Sequence, residues 1–219
     1  MTELNAKKTR RIAIFYDGYY FLNVGKYYRN EHNAQSWIQF TALHDFVESR
    51  VAKIDDVEKD LCRVVDAHYF RARSYVAKAE RNGILRAERR VDDLLMTAEI
   101  VSHYRPVTQS GGEKGIDVWF ALEAYELAAL KAYDFMVLVT GDEDHVPLVR
   151  KLHNLGTRVM LLYWQLQYDR TDDLGNVKSE TVFTSKNLIN EVSYAVDMQS
   201  LIDDPANADD PYVQALFGT

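Results

Sequence analysis

The chain has 219 residues, of which 47% are apolar, and a formal net charge of −7 at pH 7. That apolar fraction suffices for one sizeable core, and no apolar stretch is long enough to span a membrane. The negative charge argues against a general nucleic-acid coat protein but not against an enzyme that contacts nucleic acid locally, and the single cysteine, Cys62, excludes an internal disulfide and indicates a reducing, cytoplasmic environment.

Strands and helices are predicted to alternate along the first half of the chain. The predicted elements are a strand at 11–16, a short helix within 17–35, a helix from Ser36 to about Lys53, a strand at 61–72, two helices between 76 and 100 and a strand at 101–107. The second helix is started at Ser36 because Ser36-Trp37-Ile38-Gln39 has the spacing of a capping box. Asn82-Gly83 indicates the break between the next two helices.

The same alternation continues in the second half. The predicted elements are a loop at 108–114, a helix at 115–131, a strand at 135–140, a helix at 146–155 ended by Gly156, a strand at 158–164, a loop or small hairpin at 165–180 and helical spacing at 185–202. Strands that alternate with helices predict a parallel, doubly wound α/β sheet with right-handed crossovers. We expect one domain at residues 10–202, between a flexible stretch at 1–9 and an acidic tail at 203–219.

Two of the predicted strands end in aspartate. The uncharged run Phe135–Val139 continues into Thr140-Gly141-Asp142-Glu143-Asp144, and the run up to Tyr16 continues into Asp17-Gly18. Aspartates at such positions also form turns and cap helices, which is the alternative interpretation. If the two strands are neighbours, however, Asp17, Asp142 and Asp144 converge where open α/β sheets bind ligands. Crowded carboxylates are costly unless they are protonated or share a cation, so this pattern favours a site for a hard metal ion.

A third acid precedes a predicted helix. Asp117 falls in the first turn of the helix at 115–131, where the helix dipole alone would favour a carboxylate. The residues that follow are apolar, so this helix is expected to pack against the sheet with its first turn at the strand ends. Glu123 lies about 120° around the helix from Asp117 and would be either half-exposed or an orienting group for a metal-bound water.

Other phosphate-handling α/β folds lack support in the sequence. The first strand is not followed by Gly-x-Gly-x-x-Gly, and no P-loop Gly-Lys-Ser/Thr is present. Asp17-Gly18-Tyr19 lacks the second acid of an aspartyl-phosphate phosphatase, and a response-regulator receiver domain is shorter. A site made of acids from three separate segments is what remains.

Three ordered motifs carry a resemblance to a known family. They are Phe15-Tyr16-Asp17-Gly18, Lys114-Gly115-Ile116-Asp117-Val118 with Leu122-Glu123, and Val137–Asp144 with Pro147-Leu148. Together they resemble the NYN domain, also called LabA-like, a PIN-like ribonuclease fold, over about residues 10–165. The resemblance implies a Rossmann-like three-layer sandwich with a mainly parallel sheet, and Mg²⁺- or Mn²⁺-dependent cleavage of RNA.

The family's acidic residues fall on Asp17, Asp117, Asp142 and Asp144, with Glu123 where an aspartate is usual. Tyr20 stands where the family commonly has asparagine, although Asn23 is nearby, and His145 stands where phenylalanine is usual. These departures concern substrate positioning and turnover rather than metal binding.

The predicted activity is metal-dependent hydrolysis of phosphodiester bonds in single-stranded RNA. The four aspartates would hold one or two ions, Thr140 would hydrogen-bond a ligand carboxylate, and Lys114 would pair with a phosphate unless it is a solvated loop lysine. His145 is either a proton-transfer group or a structural histidine. The same uncertainty applies to His103 and Arg105.

Two alternatives stay open on the sequence alone. A weakly active or inactive module would bind RNA or a protein partner, including a second copy of itself, without turnover. A nuclease acting on DNA or on a small phosphoester would use the same acids. Five clustered aromatic residues would either stack unpaired bases or pack in the core: Tyr19, Tyr20, Phe21, Tyr27 and Tyr28.

Overall fold

The computed structural model describes residues 8–107, 115–171 and 177–218. The strands are β1 Arg10–Asp17, β2 Cys62–Arg73, β3 Val101–Pro106, β4 Phe135–Val139, β5 Arg158–Tyr163, β6 Leu166–Thr171, β7 Val177–Val182 and β8 Tyr194–Asp197. The α-helices are α1 Gly18–Asn30, α2 Phe40–Asp55, α3 Val76–Arg81, α4 Leu85–Thr97, α5 Ile116–Lys131, α6 Val146–Asn154, α7 Lys186–Glu191, α8 Met198–Asp203 and α9 Pro211–Gln214. Short 3₁₀ turns cover Lys59–Leu61, Glu143–His145, Pro205–Asn207 and Ala215–Phe217.

The central sheet is parallel throughout. Within the described ranges its six strands follow the order β3-β2-β1-β4-β5-β8, and every neighbouring pair is parallel. β6 and β7 form a separate antiparallel hairpin, one of the two structures expected at 165–180. The Gly175-Asn176 pair of that segment lies outside the described residues. The predicted α/β fold with a parallel sheet is confirmed.

The sheet is buried on both faces. Along β1, Ile12, Ile14 and Tyr16 point into one core, and Ala13 and Phe15 point into the other. The first core lies under α1, α2 and α4, and the second lies under α5, α6 and α7. Near-continuous apolar runs are what a strand covered on both faces requires, which explains the uncharged sequences of β1 and β4.

The strand order reverses between β1 and β4. From β1 the chain winds outward through β2 and β3, and from β4 it winds in the opposite direction through β5 and β8. Crossovers therefore leave this pair of strands on opposite faces, and a crevice opens beyond their carboxyl ends. β1 and β4, the two strands predicted to end in aspartate, both end at this crevice.

The predicted capping box at Ser36 is wrong. The helix starts at Phe40, and the residue before it, Gln39, makes no side-chain capping bond. The Ser36 hydroxyl instead donates to the backbone carbonyl of Phe217, 2.8 Å away. A partner far along the chain has replaced the local one that the spacing suggested.

The single helical segment expected at 185–202 is also wrong. Two short helices, α7 and α8, flank the edge strand β8, which pairs with β5 from Met160 opposite Tyr194 to Tyr163 opposite Asp197. Asp197 caps α8 by accepting from the backbone N–H of Ser200 at 3.0 Å. β8 has only four residues, so its alternation of buried and exposed side chains is too short to be recognised in the sequence.

The last described residues return to the body of the domain. Val213 and Leu216 are buried in the first core, and the backbone N–H of Gln39 donates to the carbonyl of Leu216 at 2.8 Å. These contacts hold the segment after α8 against the start of α2. None of the helices in the described ranges is both long and apolar enough to cross a membrane.

Candidate active site

Asp17 and Thr140 face each other at the reversal point of the sheet. Tyr16 is paired with Val139, so the next residue of each strand lies beyond the last pairing. The buried Thr140 hydroxyl donates to Oδ2 of Asp17 at 3.5 Å, and it accepts from the backbone N–H of Asp142 at 3.3 Å. One hydroxyl group thus links the ends of β1 and β4.

The Asp17 carboxylate also begins α1. Its Oδ1 atom accepts from the backbone N–H groups of Tyr19 and Tyr20, at 3.0 and 3.1 Å. This is N-capping, in which a side-chain oxygen satisfies donors that the first helical turn leaves without partners. The cap and the contact with Thr140 together fix the orientation of the carboxylate.

Asp142 and Asp144 share one tight turn after β4. Oδ1 of Asp142 accepts from the backbone N–H of Asp144 at 2.9 Å and caps the 3₁₀ turn Glu143–His145. Asp142 is half-buried, whereas Asp144 is exposed. The turn therefore presents two carboxylates at the edge of the crevice.

Asp117 is affected by the negative charges of Asp142 and Asp144. It sits exposed in the first turn of α5, where partial desolvation raises the pKa of its carboxyl and the charges of Asp142 and Asp144 raise it further. His145 acts in the opposite direction and lowers that pKa. The charges of the β4 turn thus influence a carboxyl group that comes from another segment of the chain.

His145 is packed behind the aspartates. It is buried and stacked on Phe120, with ring centroids 4.5 Å apart. Burial lowers the pKa of the imidazole, while Asp142, Asp117 and Asp144 each oppose this shift. The ring therefore occupies the aromatic position that the family usually fills with phenylalanine.

Glu123 belongs to a different group of side chains. It accepts from Nε1 of Trp119 at 3.2 Å, and its charge raises the pKa values of His68 and His103 against the larger effect of burial. Nδ1 of His68 and Nε2 of His103 are 2.9 Å apart. His103 is thus part of a buried histidine pair beneath α5.

The side chain of Tyr20 is buried. Its hydroxyl lies 2.8 Å from Oγ1 of Thr184, accepts from the backbone N–H of Trp164 at 2.8 Å and is 3.3 Å from the Trp164 carbonyl. Burial raises the pKa of the phenol, so it remains protonated. Tyr20 therefore ties α1 to the base of the hairpin. Phe21 and Tyr28 are buried as well and pack in the core, as does the partly buried Tyr27.

A cavity of about 270 Å³ lies between the Asp17 carboxylate and the hairpin. Its lining residues are Asp17, Tyr19, Tyr20, Asn23, Gly141, Asp142, Thr181, Val182 and Phe183. Asn23 lines it from α1 and accepts from the Lys26 ammonium at 2.9 Å. The residues from the end of β7 were not predicted, because nothing local in the sequence shows that the hairpin folds back to the crevice.

Gly141 explains how the hairpin reaches the cavity. A Cβ atom there would overlap the backbone carbonyl of Phe183 and come within 2.8 Å of the Tyr20 ring. The Gly141 carbonyl in turn accepts from the backbone N–H of Ser185 at 2.9 Å. Glu143 accepts from the Ser185 hydroxyl at 2.9 Å and from the Asn187 amide at 2.7 Å. These contacts hold the acidic turn against the segment that follows β7.

Arg105 lies near the start of α5. It is exposed at the end of β3, and its Nη1 atom is 3.5 Å from the Gly115 carbonyl. Lys114, the predicted phosphate partner, lies outside the described residues. Within the ranges that are described, no three His, Cys, Asp or Glu side chains lie close enough together, as they stand, to surround a metal ion.

Comparison with known proteins identifies the family. The model of the NYN domain matches residues 11–199, and no curated protein matches the chain. A solved structure of a protein of unknown function from Vibrio parahaemolyticus is similar over 86% of this chain and 93% of its own, with 22% identity and a TM-score of 0.54. At that identity the likeness shows the fold alone. The family model spans most of the sequence and the fold agrees with it, so the chain belongs to the NYN domain family of PIN-like nuclease domains.

Proposed function

We propose that this protein is a Mg²⁺- or Mn²⁺-dependent ribonuclease that hydrolyses phosphodiester bonds in single-stranded RNA. Asp17, Asp117, Asp142 and Asp144 are its metal-binding and catalytic residues. The proposal rests on one observation, the Thr140 hydroxyl that bonds both the Asp17 carboxylate and the backbone N–H of Asp142 and so joins the acidic ends of β1 and β4. The raised pKa of Asp117, caused first by partial desolvation and then by the charges of Asp142 and Asp144, supports it. Carboxylates that destabilise one another at the mouth of a crevice gain most from a shared cation.

The donor set fits a hard divalent ion. Carboxylate oxygens are the ligands that Mg²⁺ and Mn²⁺ prefer. Mg²⁺ usually retains several waters and takes one or two protein carboxylates together with substrate phosphates, so it does not require a complete protein cage. When bound, such an ion would lower the pKa of an attacking water and neutralise charge on the phosphodiester.

The surrounding residues hold these carboxylates in place. Thr140 and the two N–H groups of the α1 cap fix Asp17, and the 3₁₀ turn fixes Asp142. Asp144 is exposed, so it is accessible to an ion that arrives with an RNA phosphate. The buried His145 ring stacks on Phe120 directly after this turn. Positioning of this kind is what a phosphodiesterase needs from its scaffold.

The test is cleavage of labelled single-stranded RNA with Mn²⁺, in the presence and absence of EDTA. We expect chelator-sensitive cleavage by the wild type and a loss of at least about 100-fold for Asp142→Asn, a magnitude typical of removing one group that stabilises the transition state. Asp209→Asn is the matched control, because Asp209 is an exposed aspartate in the segment after α8. Cleavage by Asp142→Asn at the wild-type rate would refute the assignment. Circular dichroism of both variants checks that they fold.

A second candidate, an RNA-binding module without turnover, is favoured by Tyr20. This position commonly holds asparagine in the family, whereas here the side chain is buried and its hydroxyl is engaged by Trp164 and Thr184. Retention of RNA by the wild type without products in Mn²⁺ would support the module. Equal cleavage of single-stranded DNA in a parallel reaction would instead broaden the substrate class.

A further inference from the structure

We infer that Tyr19 and Phe183 stack against an unpaired nucleobase next to the scissile phosphate, so that the cavity selects single-stranded over paired RNA. This inference rests on the proposed function and names the part of the site that recognises the substrate. The two rings come from different segments that line the cavity, Tyr19 from α1 and Phe183 from the residue after β7.

The two rings are exposed although their neighbours are buried. Tyr19 is 54% exposed and Phe183 is 59% exposed, and both line the cavity together with Asp17 and Asp142. Exposed aromatic rings beside carboxylates are unusual as packing elements, because each loses favourable burial. A ligand that combines a flat ring with an adjacent phosphate would cover the rings and approach the acids together.

The backbone under Tyr19 is fixed by the catalytic carboxylate itself. The Tyr19 N–H donates to Oδ1 of Asp17 at 3.0 Å, and the next side chain, Tyr20, is buried and hydrogen-bonded. The Tyr19 ring therefore extends from the first turn of α1, the helix that Asp17 caps. Little conformational entropy is lost when a ring on such a support stacks on a base.

Phe183 is equally well supported. It lies between the buried residues Val182 and Thr184, and its carbonyl is against Gly141. The Thr184 hydroxyl contacts Tyr20 at 2.8 Å and the Trp164 carbonyl at 3.2 Å. The backbone is thus held on both sides while the phenyl ring extends into solvent beside the acidic turn.

The two aromatic rings and the carboxylates beside them indicate which kind of ligand fits the cavity. Aromatic rings stack on bases of any sequence because every base has a π face, whereas bases in a duplex are already stacked and their faces are covered. A nucleotide whose base lies between Tyr19 and Phe183 would place its phosphate toward Asp17 and Asp142. Selectivity for unpaired RNA then follows from access to the base.

The experiment compares the RNA affinities of variants made in the Asp142→Asn protein, with Mn²⁺ present. Affinity is measured by fluorescence anisotropy of a labelled single-stranded RNA. We expect Tyr19→Ala and Phe183→Ala to weaken binding by about 5- to 100-fold each, as loss of one stacking partner does. Tyr19→Phe and Phe183→Tyr keep the rings and should keep the affinity. Tyr125→Ala is the matched control, because Tyr125 is a partly exposed tyrosine that lies farther along α5 and does not line the cavity.

A second set of RNAs, each with one abasic position, tests the stacking itself. If the base that stacks is removed, the wild-type rings lose their partner, so the effects of the abasic site and of Tyr19→Ala should be strongly non-additive. Additive effects at every position, equal affinity for duplex RNA, or absence of RNA binding by both the wild type and Asp142→Asn would each overturn the inference. Because binding rather than cleavage is measured, a wild type that binds RNA without cleaving it would refute only the proposed nuclease activity.

Discussion

The backbone carbonyl of Phe183 lies directly against Gly141, with no space for a side chain at position 141. This contact joins the end of the hairpin to the turn that carries Asp142 and Asp144. The Ser185 N–H to Gly141 carbonyl bond on the same side reinforces it. A glycine beside an aspartate would ordinarily be read as a turn residue, but here its function is close approach of two backbones.

Gly141→Ala should therefore damage both stability and activity. The added methyl group must displace the Phe183 carbonyl or the Tyr20 ring, which costs about 1–3 kcal/mol as overpacking does. Urea unfolding measures the loss, and the RNA assay measures the displacement of the acidic turn. Gly83→Ala is the comparison, because nothing lies within 4 Å of its added methyl and only its positive φ of 67° opposes the change. Equal activity of the two variants would contradict the close-packing interpretation.

The N-cap role of Asp17 and its proposed metal-binding role can be separated by substitution. Asparagine is as good an N-cap as aspartate, whereas alanine costs about 1 kcal/mol at such a position. Asp17→Asn should therefore unfold close to the wild-type temperature but lose chelator-sensitive cleavage, and Asp17→Ala should lose both stability and cleavage. Thermal denaturation followed by circular dichroism, together with the cleavage assay, distinguishes the two. An active Asp17→Asn protein would remove Asp17 from the metal site.

The electrostatic coupling of the acids can be measured without RNA. Asp142 raises the pKa of Asp117, so Asp142→Asn should lower that pKa toward the ordinary value of an aspartate. Carbon-13 NMR titration of the carboxyl groups reports it directly. Asp209→Asn, remote from α5 in the sequence, should leave the Asp117 titration unchanged. An unchanged titration in Asp142→Asn would mean that the two carboxylates do not share one site.

The ion pairs of Asp55 should make the free energy of unfolding depend on pH. The Arg158 guanidinium, assisted by Arg10, lowers the pKa of the Asp55 carboxyl, although burial opposes this. Its contribution is therefore fully present above the unfolded-state pKa near 3.8 and is lost as pH falls through the lower, folded-state value. At pH 7, Asp55→Asn should reduce the free energy of unfolding by about 2 kcal/mol, as expected for losing charge-assisted hydrogen bonds in a part-buried pair.

Urea unfolding at neutral pH and at about pH 3 tests this dependence, since the gap between wild type and Asp55→Asn should narrow in acid. Asp45→Asn removes the exposed partner of Lys59 and should cost less than about 1 kcal/mol at either pH. A gap for Asp55→Asn that stays constant with pH would show that packing, not charge, sets the effect.

The sequence predicts those parts of the fold that depend on neighbours along the chain. The uncharged runs before Asp17 and before Thr140 identify β1 and β4, because a strand buried on both faces has no room for charge. Ser36 shows the opposite case. Its spacing fits a local cap, yet its hydroxyl binds the Phe217 carbonyl, which no local pattern can reveal.

The candidate site likewise has some residues that local sequence patterns reveal and others that only the folded chain brings to the cavity. Asp17, Asp142 and Asp144 are recognisable because each follows a strand, and strand order then brings them to one edge. Phe183 is not recognisable, because its place in the cavity depends on the contact between its backbone and Gly141. Tyr20 has an aromatic sequence context like that of Tyr19, but helical geometry turns it inward to Trp164.

The strands of the β6–β7 hairpin pair only with each other within the described ranges, and the end of β7 lines the acidic crevice through Thr181, Val182 and the next residue, Phe183. Substitutions at its exposed positions, such as Lys178 and Ser179, would leave the register of the central sheet untouched. If the proposed function holds, a different hairpin grafted onto β5 would change which RNA the crevice accepts while leaving the acidic residues in place.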